Sequence, residues 1–189
     1  MESHEEKLAR VLRDKVAVVP YDPSWPIRFE EERRHLRECL PTDLVGRIEH
    51  FGSSAVPGLA AKPVIDMLVE VVSLDETRGR IVPILVAQGY DYFWRPTHGD
   101  DTPPWYAWFI KRDGAGTRTH HIHMVEPHSE HWDRLLFRDY LIARPALARR
   151  YGEFKQELAR TSNERVAYAQ AKSDFIEKIT VEARYHFGA

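Results

Sequence analysis

Ile48-Glu49-His50-Phe51-Gly52-Ser53-Ser54-Ala55-Val56-Pro57-Gly58-Leu59-Ala60-Ala61-Lys62-Pro63-Val64-Ile65-Asp66 reads as a strand, a tight turn, a loop punctuated by two prolines, and the start of a second strand. Gly52 allows the turn and lets another group approach the backbone closely. Ser53 and Ser54 add hydroxyl donors beside backbone N–H groups, a combination suited to an anion. Lys62 offers a positive charge to the same loop. Asp66 follows on the next strand, where a metal ion bound to phosphate would need an oxygen ligand. A plain connecting loop, with serines satisfying their own turn, is the alternative reading of the same residues.

Around this stretch the chain divides by character. Residues 15–125 alternate short apolar runs with Gly/Pro turns, and residues 129–186 keep a helical period. The pattern predicts strands over 15–19, 47–51 and 64–72, and helices over 26–39 and 75–88. A hairpin over 105–111 and 118–125 turns at Asp113-Gly114-Ala115-Gly116. Three helices follow, over 129–143, 145–160 and 163–185. The expected architecture is an α/β (α+β) fold with a mixed sheet of about four or five strands and a C-terminal helical bundle forming one wall of a cleft. At 189 residues we expect one domain, with an α/β core over 15–127 and a helical part over 128–186 packed on it.

Composition narrows the function classes. The chain carries 29 acids against 27 Lys plus Arg, so it lacks the basic surplus that general nucleic-acid binding needs. No apolar run is long enough to span a bilayer, and residues 1–13 lack the apolar core of a signal peptide. A single cysteine, Cys39, excludes an intramolecular disulfide. The expectation is a reduced, cytoplasmic protein; oligomeric state is not readable.

The segment around Gly52 resembles the GrpB-like family of predicted nucleotidyltransferases. The resemblance is carried by Tyr21-Asp22-Pro23-Ser24-Trp25, by the run from Glu49 to Asp66, and by Phe137-Arg138-Asp139-Tyr140-Leu141. It implies a nucleotidyltransferase-like core in which a Gly-Ser turn holds nucleotide phosphates and carboxylates on the next strand hold Mg²⁺. Gly52, Ser53 and Asp66 match those positions. The implied reaction moves a nucleoside monophosphate from an NTP to a small acceptor, with Mg²⁺ or Mn²⁺. Ser53 and Ser54 would hold phosphates, Asp66 the metal, and Lys62 or Lys172 would neutralise charge. One departure stands out. The superfamily has a second carboxylate two residues after the first, and here that residue is Leu68. The next acid on the face, Glu70, is about 13 Å along an extended strand from Asp66, too far to share one ion.

Arg118-Thr119-His120-His121-Ile122-His123-Met124 puts His121 and His123 on one face of a strand and His120 on the other. Facing Asp66, the two imidazoles would complete a metal shell, contact a phosphate or accept a proton; an ordinary strand with hydrogen-bonded histidines is the bland reading. Two charges fall inside apolar helix stripes: Asp139 among Leu135, Leu136 and Tyr140, and Lys172 beside Phe175 and Ile179. Each needs a tertiary partner or a place in a cleft, where Lys172 would reach a phosphate. Lys155 is a weaker candidate, explained by snorkelling. The charges of residues 28–38 read as a solvated helix face, and Trp94, Trp105, Tyr106 and Trp108 as core contacts or the wall of a base pocket. Two alternatives to the transferase follow. One is a non-catalytic module binding a nucleotide or phosphate ligand, favoured by Leu68. The other is a metal-dependent phosphohydrolase built on Asp66, His121 and His123.

Overall fold

The computed structural model describes residues 17–98, 101–161 and 165–188, without the side chains of 159–171. Five strands, β1 (Val45–Phe51), β2 (Ile65–Val71), β3 (Asp91–Pro96), β4 (Trp105–Arg112) and β5 (Arg118–Val125), form one sheet in the order β1-β2-β5-β4-β3. β2 and β5 run parallel, and every other neighbouring pair is antiparallel. The mixed α/β class and the hairpin are as expected.

Three elements differ from the sequence reading. Val19 makes one antiparallel bridge to Ala61 rather than belonging to a strand, and residues 15 and 16 lie outside the described set. β3 was not anticipated. Its Arg95-Pro96 end argues against a strand, yet proline is tolerated here because β3 is an edge strand. The predicted helix over 75–88 is broken into Leu74–Glu76, a wide π turn Thr77–Ile81, and Val82–Ala87, together α2. Pro83 lacks an N–H and crowds the preceding turn, which accounts for the widening.

α1 (Trp25–Cys39) lies on one sheet face, with Pro26 in its first turn. It buries Trp25, Phe29 and Leu36 against Met67, Val69, Phe109, Ile122 and Met124, and α2 adds Ile81 and Leu85. Its polar face is not wholly solvated: Glu32 is buried, accepts the Tyr90 hydroxyl at 2.5 Å and pairs with Lys111.

On the opposite face Phe51, Leu68, Phe93 and Trp108 cluster with Trp132 and Leu135. A 3₁₀ turn (Glu130–Trp132) leads into α3 (Asp133–Ala143), followed by α4 (Pro145–Thr161) and α5 (Arg165–Phe187). Val56 and Leu59 of the Gly-Ser loop are buried in the core of these helices with Phe137, Tyr140 and Tyr151. The loop's apolar residues therefore pin the sheet to the helical part.

Candidate functional site

Strand period and register assemble the site. In the parallel β2–β5 pair Asp66 stands opposite His121, and Leu68 opposite His123. These four share a face, while His120 turns to the other and reaches the Arg28 carbonyl. The Asp66 face opens into a cleft of about 590 Å³ between sheet and C-terminal helices, whose lining includes Gly52, Ser53, Asp66, His121, His123 and Lys172. The helical part does form one wall of a cleft.

Gly52 is required by two independent constraints. Its φ of +72° with ψ of −171° lies where L side chains are strained, and a Cβ there would stand 2.5 Å from Asp66 Oδ2. The turn and the carboxylate are thus packed as one unit. Asp66 Oδ1 is 3.2 Å from His121 Nδ1. Burial alone would raise the Asp66 carboxyl, but its hydrogen bond with His121, and Lys172 and His50 beyond, hold it below the usual carboxylate range.

Burial depresses the amine of Lys172, with Asp66 opposing and Arg134 adding to the shift. His123, deep in the sheet, is pushed well below the ordinary imidazole value by burial and by Arg134. His121 Nε2 and His123 Nδ1 are buried without a partner.

Two candidates are drawn elsewhere. Ser54 is buried and its hydroxyl shares a 3.1 Å hydrogen bond with His50 Nε2, so it serves the loop rather than the cleft. Lys62 does not line the cleft; it contributes charge near Lys155. Lys155 is buried, donates to the Ala60 carbonyl at 2.6 Å and sits over the Tyr151 ring, and burial, with the charge of Lys172, lowers its amine to about 7. It anchors the loop. Asp139 finds its partner in Arg138, which also donates to Glu49 and, at 2.7 Å, to the His50 carbonyl, fixing the end of β1 just before Gly52. Trp94 and Trp105 stack on each other with ring centres 6.1 Å apart, away from the cleft.

Sequence reasoning missed two cleft residues, Arg95 on β3 and Arg134 on α3. Arg95 fell on an unassigned strand. An arginine in the first turn of an amphipathic helix resembles any solvated one.

The donor set does not fit a two-metal Mg²⁺ centre. Leu68 occupies the second carboxylate position with no exposure, inside the apolar cluster. Glu70 pairs with Arg47 at 3.0 Å. Among the described residues no group of three or more His, Cys, Asp or Glu side chains is arranged to hold a metal ion.

A mixed sheet, a glycine turn packed on a strand carboxylate, and a helical wall define the class of protein at hand. Residues 15–182 match the family described as GrpB protein, and the chain belongs to that family. It is 39% identical over 170 residues to UPF0157 protein PA4798 of Pseudomonas aeruginosa, covering 88% of this chain and 66% of that protein. It is 34% identical over 172 residues to UPF0157 protein YqkA of Bacillus subtilis, covering 90% of this chain and 48% of the relative. The chain thus spans about half to two-thirds of these relatives' length. The crystal structure of conserved protein GrpB from Enterococcus faecalis is similar at a TM-score of 0.76 and 32% identity, over 92% of this chain and all of that one. No described helix is long and apolar enough to cross a membrane.

Proposed function

We propose that the cleft binds a nucleotide by its phosphates, held against Gly52 and Ser53 with Lys172 balancing their charge. The observation that carries this reading is the convergence of the glycine turn, the Asp66 carboxylate and Lys172 on one cleft. The GrpB resemblance supports a nucleotide over other phosphate ligands. In the transferase form of the reading, an acceptor hydroxyl oxygen bonds to the α-phosphorus of an NTP as the bond to pyrophosphate breaks. The hydroxyl proton passes to His121 or His123, and Lys172 meets the charge on the leaving pyrophosphate. Leu68 favours the other form, a module that binds without transferring, because the superfamily's second carboxylate is replaced by a buried apolar side chain. The phosphohydrolase alternative has no three-ligand group to rest on among the described residues.

The test is calorimetric titration of metal-stripped protein with ATP, GTP, CTP and UTP, first in EDTA, then with Mg²⁺ or Mn²⁺, beside Lys172→Ala. Expected is saturable binding of at least one nucleotide, weakened in the variant. Absence of binding to all four under every condition overturns the reading. Pyrophosphate release from the bound nucleotide separates transfer from binding alone.

A further inference from the structure

Arg95 and Arg134 line the same cleft as Lys172. Each guanidinium lies over an aromatic ring, Arg95 over Trp108 at 5.4 Å and Arg134 over Phe51 at 5.6 Å. Among the described residues neither arginine, nor Lys172, makes an ion pair or hydrogen bond; Asp66 acts on Arg134 and Lys172 only through its field. A ring face orients a guanidinium through its quadrupole but does not neutralise it, and leaves the forked N–H donors unspent. Phe51 and Trp108 thus seat cations, and the Trp108 face is not free to stack on a base.

The acids lining the cleft are Asp66, already bonded to His121, and Glu177, exposed at the mouth. His121 Nε2 and His123 Nδ1 add two buried polar atoms without partners. Unpaired cations and orphaned polar atoms each cost stability. Their convergence in one cavity points to a ligand that satisfies them together.

We infer that Arg95, Arg134 and Lys172 form a clamp for a phosphate-type oxyanion, pyrophosphate or the terminal phosphates of a larger ligand, that holds its ligand without a metal ion. The cations would supply the charge that a divalent ion otherwise brings, consistent with Leu68 in place of a second carboxylate. The inference deepens the nucleotide reading, resting on the same cleft, but needs no nucleoside.

The experiment titrates the intact protein with inorganic pyrophosphate in EDTA, by calorimetry and by the rise in melting temperature of the wild type, which requires no variant. Binding is expected, weakening as salt rises. Arg95→Gln and Arg134→Gln are each expected to weaken it about ten- to hundredfold, the range for a hydrogen bond to a charged group. Arg134→Lys, which keeps charge and loses the fork, falls between. Asp66→Asn, which removes a repelling charge, tightens binding, whereas a metal-held anion would be released. Arg33→Gln, in the exposed Glu30–Arg33 pair of α1, leaves it unchanged and excludes a general charge effect. The clamp is overturned if pyrophosphate fails to bind in EDTA, binds only once Mg²⁺ is added, or binds equally to arginine variants with unaltered melting temperature. Pyrophosphate binding with no nucleotide binding sinks the nucleotide reading and leaves the clamp; Mg²⁺-dependent nucleotide binding without pyrophosphate binding in EDTA does the reverse.

Discussion

One face of the sheet is closed by α1 and α2, the other by the C-terminal helices, and the two treat buried polar groups differently. On the first, Glu32 is satisfied by Tyr90 and Lys111, His50 by Ser54, and His120 by Thr119 and the Arg28 carbonyl. Trp25 Nε1 and the Tyr92 hydroxyl are the exceptions. On the second, His121, His123, His131 and Trp108 each keep a buried nitrogen without a partner, and three cations lack ion pairs among the described residues. On the first face Glu32 and both histidines are satisfied; on the second, three histidines and three cations among the described residues are not. That difference is what the proposed ligand would remove.

The contrast can be broken most forcefully at Leu68. Leu68→Asp buries an unpaired carboxylate among Phe51, Phe93 and Trp108 and should cost about 3–5 kcal/mol in urea unfolding, whereas Leu68→Met should cost under about 1.5. Phe109→Ala, fully buried on the face covered by α1 and α2, should cost a similar ~3–5 kcal/mol but leave ligand affinity unaltered in the folded fraction. Gly52→Ala should cost about 1–3 kcal/mol for its backbone conformation and weaken binding as well, because Asp66 must move.

Acid sharpens the contrast differently. Burial lowers His50 and His120 to about 4 and His131 to about 3, so the folded protein binds fewer protons than the unfolded chain. Stability should be full above pH 6.5 and fall as pH drops from there, through about 4 for His50 and His120 and about 3 for His131, by at most about 1.4 kcal/mol per pH unit for each histidine. His120→Gln should make that fall shallower. The smallest effect is expected at Lys172→Met, where losing a buried, unpaired cation should raise stability by roughly 1 kcal/mol while binding declines, the mark of a residue kept for function.

Much of this was legible because strand periodicity is simple. Asp66, His121 and His123 fall on one face by alternation alone, and Lys172 declared itself by interrupting an apolar stripe. Gly52 was recognisable as a turn, but its contact with Asp66 was not. The places of Ser54 and Lys62 outside the cleft lining were not legible, because hydroxyl and amine chemistry does not say which way a loop turns. Arg95 and Arg134 were hidden because the rings beneath them come from other strands. Glu32 looked solvated because its partners, Tyr90 and Lys111, are brought near only by the packed sheet.

The parallel pairing of β2 with β5 also governs when the site comes into being. Asp66 and His121 are 55 residues apart in sequence, and their strands are joined by a crossover containing α2, β3 and β4. Closing so long a loop costs chain entropy before any of its contacts form, which makes this pairing a slow, late event in folding. A nascent chain emerged only through β4 carries Asp66 and Gly52 but has no cleft. Oxyanion binding would therefore report completion of the central sheet during synthesis.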